Sequence, residues 1–449
     1  MSTDSSFRDP TTENTAERGY LVGVVIKGSR PLLSIDDSLD ELALLAKTAG
    51  VEVVGRTFQQ LEKPNPATFI GSGKIAEIQE EIASLDVDVV IFDDELSPRH
   101  QRELENAFGE DIKILDRSAL ILDIFARHAQ TREGALQVEL AQYEYRLPRL
   151  TRQWTHLARQ AGGGTARGGA GGVGLRGPGE TQLEVDRREI GRRIARLKKE
   201  LEAVRAHRSR YRQRREQVGL PVVSLVGYTN AGKSTLLNRL TGTEIYVADQ
   251  LFATLDPTTR RLTLPGGKAV LCTDTVGFIQ KLPTTLIAAF RATLEEVAEA
   301  TILLHVADVS HPNVHQQIEA VEDTLAALDL PRVPHILALN KVDLLEEDLT
   351  HLAAEFQSPQ YQAIVPISAK TGYGLDVLVQ EIEEILTSAM QTIHVLIPYQ
   401  RGDLVARIHE KGLILSEEHT QDGVVLKAQV PHELAAQIIA VQSVVEYTG

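Results

Sequence analysis

Between residues 20 and 130 the hydrophobic and polar positions switch repeatedly between two patterns. LVGVVIK (21–27), VEVVGRTF (51–58), VDVVIFD (87–93) and DIKILD (111–116) are short, β-branched, mostly apolar runs. SLDELALLAKTAG (38–50), GKIAEIQEEIASL (73–85), SPRHQRELENAFG (97–109) and RSALILDIFARHA (117–129) repeat their apolar positions every three to four residues. The first pattern is that of buried strands and the second that of amphipathic helices. Strands interleaved with helices of this length predict a parallel sheet covered by helices. The alternation returns at Pro221 and continues to about residue 390. From 391 to 449 the order strand, helix, two strands, helix predicts a small α+β module.

Residues 131–218 follow a different rule. Leu136, Leu140, Tyr143, Leu147, Leu150, Trp154 and Leu157 step by alternating fours and threes, as do Ile190, Ile194, Leu197, Leu201 and Val204. Two apolar seams of this kind predict a pair of helices packed seam on seam in an antiparallel hairpin. Pro148 should interrupt the first helix. Between the seams, residues 161–179 hold 10 glycines in 19 positions, too flexible for a core and expected to be the hairpin's tip. The whole is an α/β multidomain chain: a disordered tail (1–19), an α/β domain (20–130), the hairpin (131–218), a second α/β domain (219–390) and the C-terminal module (391–449).

Composition sharpens this reading in two ways. A single cysteine in 449 residues excludes a disulfide framework and suits a reducing compartment. The polar start and the lack of an 18-residue apolar run predict a cytoplasmic chain without membrane insertion, expected as a monomer. The net charge of −15 is unevenly spread: residues 146–215 carry 19 basic against 6 acidic side chains. A basic stretch in an acidic chain suits a phosphate-rich partner. Arg167 and Arg176 in the loop, with Arg187, Arg188, Arg192 and Arg193 on the second helix, are the candidate RNA contacts. Acidic protein or anionic lipid, with peripheral membrane association, would fit the same charge.

The chemistry lies in the second α/β domain. PVVSLVG (221–227) runs into GYTNAGKST and then TLLNRLTG, the strand–loop–helix context of a phosphate-binding loop. Gly227, Tyr228, Thr229, Asn230, Ala231, Gly232, Lys233, Ser234 and Thr235 would cradle phosphates with backbone amides, the Lys233 ammonium and a helix N-terminus. Ser234 offers a hydroxyl to Mg²⁺, joined by Asp274 of DTVG and by Thr254 of LFATLDPTTR. Gly277 offers an amide to a terminal phosphate. Asn340, Lys341 and Asp343 follow the strand HILALN, and a carboxylate there accepts from N1–H and the 2-amino group of guanine. Ser368, Ala369 and Lys370 follow a further strand and would close over the base. The order of the five motifs predicts GTP as substrate and GDP as product, with Lys233, Thr254 and Gly277 acting on the transferring phosphate.

GYTNAGKS, FATLDPTTR, DTVGF, NKVD and SAK resemble the signature motifs of translation-factor-class P-loop GTPases. DTVGFIQKLPTTLIAAFRATLEEV and the block GGGTARGGAGGVGLRGPGETQLEVDRR resemble more narrowly the HflX family, over about residues 20 to 390. The resemblance implies a ribosome-associated GTPase that contacts the large subunit and its rRNA and splits or rescues stalled or idle ribosomes. A regulator of a protein or membrane partner is the alternative. Some members of that family are thought to bind ATP at the N-terminal domain, whose Gly71-Ser72-Gly73-Lys74 otherwise reads as a helix start. Phe278 stands where such GTPases often carry a water-orienting Gln, which predicts slow hydrolysis without a partner. The helical run 284–298 is the expected relay from the switch region. Asp93-Asp94-Glu95 reads as a solvated acidic loop, Arg401-Gly402-Asp403 as a helix start, and Cys272 as a buried, inert thiol.

Overall fold

The computed structural model describes residues 16–29, 31–150, 178–218, 220–242, 251–252, 254, 257–281, 297–327, 333–346, 349, 351–388, 390–439 and 445–446. Two compact units result, one from residues 1–127 and 145–185, the other from 128–144 and 186–449.

In the first unit, β1 (Glu17–Ile26), α1 (Ile35–Thr48), β2 (Val51–Leu61), α2 (Ser72–Leu85), β3 (Val89–Phe92), α3 (Pro98–Phe108), β4 (Lys113–Asp116) and α4 (Arg117–His128) alternate as the pattern predicts. The strands form an all-parallel sheet of order β2-β1-β3-β4. Ile75, Ile78 and Ile82 of α2 with Leu104 and Phe108 of α3 pack on Tyr20, Val22, Val90 and Phe92. Strand β1 starts at Glu17, inside the expected tail, because Glu17 and Arg18 pair in register with Val51 and Glu52. Gly71 caps α2, and the Lys74 ammonium is engaged by Glu77 (2.6 Å) and Thr57 (3.0 Å).

The reading of Asp93-Asp94-Glu95 as a solvated loop is overturned at Asp93, which is wholly buried. Its Oδ1 accepts from the guanidinium of Arg117 at 2.7 Å and its Oδ2 from the Ser38 hydroxyl at 2.7 Å, while Glu41 takes a second Arg117 nitrogen. The carboxylate follows β3, Arg117 opens α4, and Ser38 and Glu41 lie on α1. One buried ion pair therefore fastens three elements at the carboxyl ends of the strands. Beside it, Arg149 stacks on Tyr145 and donates to Leu96 O (2.6 Å), with Asp116 Oδ2 at 3.7 Å.

The seams meet in the second unit. Of α5 (Arg132–Arg146) and α6 (Pro178–Val218), Leu136 and Leu140 pack with Leu197 and Leu201, flanked by Tyr143, Ile194 and Val204. Helix α5 gives way to a 3₁₀ turn at Leu147–Arg149, where Pro148 ends it. The first seam beyond Leu150 and most of the glycine-rich loop lie outside the described residues, whereas Pro178 and Gly179 open α6.

The second α/β body comprises β5 (Val222–Gly227), α7 (Lys233–Thr241), β6 (Thr258–Thr263), β7 (Ala269–Asp274), β8 (Ile302–Asp308), α8 (Val314–Ala326), β9 (His335–Asn340), α9 (Leu352–Glu355), β10 (Tyr361–Pro366) and α10 (Leu375–Ser388). Its sheet runs β10-β9-β8-β5-β7-β6, with β6 antiparallel to β7 and the other pairs parallel. The apolar strands carry no polar face because both faces are covered. Strand β11 (Met390–Ile397), α11 (Gly402–Lys411), β12 (Leu413–His419), β13 (Val424–Pro431), α12 (His432–Ile439) and β14 (Val445–Glu446) complete the α+β module, an antiparallel sheet of order β12-β13-β11-β14. Gly402 does open a helix, as read. Cys272 is buried, and burial pushes its thiol up to about 12.

Removing one partner of a buried pair strands the other's charge, at a cost of about 3 kcal/mol. Asp93→Ala should lower the hydrogen-exchange protection of β1, β3 and β4 amides by about that amount, while β5 and β8 amides keep theirs.

Candidate functional site

The site forms at the carboxyl ends of β5, β7, β8, β9 and β10, where open α/β sheets hold ligands. Between β5 and α7 the chain takes left-handed backbone at Asn230 (φ 60°) and Gly232 (φ 94°), curling residues 227–233 into a cradle. The curl is strapped from outside. Phe278 N donates to Gly227 O (3.0 Å), Thr229 N donates to Phe278 O (2.8 Å), and Gln280 N donates to the Tyr228 hydroxyl (2.9 Å). Lys233 is buried and donates to the carbonyls of Gly227 (3.0 Å) and Tyr228 (2.8 Å). Burial pushes its ammonium down to about 8, and the charge of Asp274 pulls the other way. A cation held this way favours an anion that compensates its lost water.

Three oxygens gather beside the cradle. The Ser234 hydroxyl donates to Asp274 Oδ2 (2.6 Å) and lies 2.8 Å from the Thr254 hydroxyl. Asp274 is buried, which raises its pKa against the opposing charge of Lys233, and its Oδ1 has no well-formed hydrogen bond among the described residues. Two hydroxyls and an under-satisfied carboxylate suit a hard cation, so Ser234, Thr254 and Asp274 would hold Mg²⁺. When bound, that ion neutralises phosphate charge and polarises phosphate oxygens. Gly277 abuts the cradle: a Cβ there would lie 2.9 Å from Thr229 Cα and 3.1 Å from Lys233 Nζ. A hydrogen at this position lets the Gly277 amide share the centre that Lys233 faces. Phe278, in the place of the expected Gln, is buried and strapped to the loop by its main chain. The ring has no group that could orient water. Thr235, next on α7, is half-buried.

The base-reading residues interlock with the phosphate loop. Asn340 is buried; its Nδ2 donates to Ala231 O (2.8 Å) and its Oδ1 accepts from Ala369 N (2.9 Å). The Ser368 hydroxyl donates to Asp343 Oδ1 (2.6 Å) and accepts from Thr371 N (3.1 Å). Asp343 and Lys370 are exposed, and Lys341 pairs with Asp308. Helix α7 also reaches this loop, since Arg239 donates to Thr371 O (3.3 Å). The phosphate loop is thus linked to Asn340 and Ala369, and Ser234 to Asp274 and Thr254.

Four family models cover most of the chain: a GTP-binding GTPase N-terminal region at residues 36–126, a GTP-binding GTPase middle region at 128–215, a 50S ribosome-binding GTPase at 222–341 and an HflX C-terminal domain at 354–438. The GTPase HflX of Caldanaerobacter subterraneus subsp. tengcongensis is 45% identical over 430 residues, spanning 94% of this chain and 93% of its own. The chain belongs to the HflX family of GTPases. The HflX GTPase of Escherichia coli is 43% identical over 88% of this chain and 90% of its own. Among solved structures, a GTP-binding protein from Sulfolobus solfataricus in complex with GDP is 24% identical, covering 82% of this chain and 99% of its own, with a TM-score of 0.42. The match to the HflX C-terminal model carries the family likeness past residue 390, beyond the reach of the motifs.

The RNA candidates divide. Arg187, Arg188 and Arg192 are exposed on α6. Arg193 pairs with Glu139 of α5, to which it donates from Nε (2.9 Å) and from a terminal nitrogen (2.6 Å). Arg167, Arg176 and residues 284–296 of the 284–298 run lie outside the described residues. Two features went unread in the sequence: β6, although Leu-Pro-Gly-Gly between two β-rich runs is a hairpin signal, and the Asp308–Lys341 pair, which has no local signal.

At Gly232 a Cβ would lie 2.3 Å from Asn340 Nδ2, on backbone that side chains avoid. Gly232→Ala should therefore weaken GDP and GTP binding by at least about 100-fold, through strain and two broken buried hydrogen bonds. Titration with a fluorescent GDP checks this, with circular dichroism confirming an unchanged helix content.

Proposed function

We propose that this GTPase binds the large ribosomal subunit in its GTP state, meets rRNA with α6 and the glycine-rich segment 161–179, and splits or rescues stalled or idle ribosomes as a cytoplasmic monomer. One observation carries the reading: Arg188, Arg192, Arg196 and Lys199 recur at helical spacing on α6 and are exposed, Arg196 while also pairing with Glu200 at 2.9 Å. They form a stripe opposite the seam of Ile194, Leu197 and Leu201 that α5 covers. A helix that buries one face and presents cations on the other offers a row of charges to a phosphate backbone. The match of residues 222–341 to a 50S ribosome-binding GTPase model supports the large subunit as the partner. Among the described residues no helix is long and apolar enough to cross a membrane.

The γ-phosphate would tie Thr254 and Gly277 to the cradle, and hydrolysis would release both, so the nucleotide sets affinity for RNA. Because Phe278 offers nothing to the attacking water, turnover alone should be slow, and the ribosome should complete the site.

The triple change Arg188→Glu, Arg192→Glu and Arg196→Glu should cut retention on large subunits, with a non-hydrolysable GTP analogue, by at least about tenfold. It should also flatten the log–log salt slope by about 0.7 for each phosphate no longer neutralised, and leave nucleotide affinity unchanged. Retention on anionic vesicles or RNA-free protein extract in place of subunits would refute the assignment. So would brisk GTP hydrolysis that ribosomes do not stimulate.

A further inference from the structure

Strands β8 and β9 are parallel neighbours whose last residues, Asp308 and Asn340, stand side by side in register. Just past Asn340 the backbone turns left-handed at Lys341 (φ 68°), a conformation that side chains other than Gly and Asn seldom adopt. That turn separates Asn340, locked to the phosphate loop, from Asp343, the carboxylate that faces a base edge. Lys341 Nζ lies 2.6 Å from Asp308 Oδ2, and both side chains are largely buried. Asp308 is itself held, because its Oδ1 accepts from Ser310 N (3.1 Å) and from the Ser310 hydroxyl (2.6 Å). One carboxylate oxygen thus closes the turn after β8, while the other seizes the lysine that follows β9.

We propose that Asp308 is a positioning residue for guanine recognition: its ion pair with Lys341 holds the left-handed turn that presents Asp343 to the base. The side-chain contacts of Asp308 run to Lys341 and Ser310, on the base side of the site, so its influence is expected there. Loss of the pair lets residue 341 relax toward ordinary backbone, which swings Asp343 away from Ser368. Affinity for guanine nucleotides then falls, while the phosphate cradle stays as built.

The test is a double-mutant cycle on the full chain. Asp308→Asn retains an oxygen for Ser310 and removes the charge; Lys341→Met retains the stem and removes the ammonium. Asp308→Asn should raise the Kd for GDP about tenfold, the scale of a partly buried pair, and leave kcat at saturating GTP within about twofold of the unmodified chain. The preference for GDP over IDP, which lacks the 2-amino group that Asp343 accepts, should narrow severalfold. In the Lys341→Met background Asp308→Asn should add nothing further, and Asp308→Glu should recover most of the GDP affinity. Additive effects, an unchanged GDP:IDP ratio, or a fall in kcat at unchanged Kd would overturn the proposal. Should Asp308→Asn fail to fold, Asp308→Ser decides on the same readouts: a tenfold loss with a narrowed GDP:IDP ratio sustains it, and an unchanged Kd overturns it.

Discussion

The rest of the site depends on one constraint, the sequestration of the Lys233 ammonium. The cradle shields this charge from water and answers it with two carbonyl oxygens and the opposite charge of Asp274. Desolvation lowers the pKa of the ammonium, and a phosphate supplies the missing counter-charge. Binding energy is thus stored in the fold itself. The surrounding crowding follows from the same need: Gly277 and Gly232 are places where a single carbon would break the enclosure. The main chain at Phe278 helps hold the enclosure shut, with two hydrogen bonds to the loop.

The phosphate and base halves of the site are mechanically joined. Asn340 reaches across to Ala231 O and receives Ala369 N, so the three loops after β5, β9 and β10 share one buried amide side chain. A hydrogen bond between neutral groups in this setting is worth about 1 kcal/mol when made, and more when one partner is stranded. The cost of disturbing Asn340 therefore falls on both halves at once. Asp343 lies outside that knot, at the rim, where its placement is free to be set by the turn before it.

How much of this the sequence declares depends on distance along the chain. The phosphate loop, Asp274, Asn340 and Ser368 were legible because each is a short motif anchored to the end of its own strand. The helix pair was legible because heptad spacing at Leu136, Leu140, Leu197 and Leu201 is a local property of each helix. Asp93 with Arg117, and Arg193 with Glu139, join residues 24 and 54 positions apart, and nothing local marks either partner. Solvation was therefore the natural expectation for Asp93. The edge strand β6 was missed for another reason. Its residues TTRRLT face solvent on one side, and only pairing with β7 makes them a strand.

The ion-paired knot of Asp93, Arg117, Ser38 and Glu41, with Arg149 set against Leu96 and Asp116, sits at the carboxyl ends of the strands, the edge where sheets of this architecture hold ligands. The N-terminal sheet is therefore self-liganded. A small molecule reaching for Asp93 there would compete with the guanidinium of Arg117, which already holds that carboxylate.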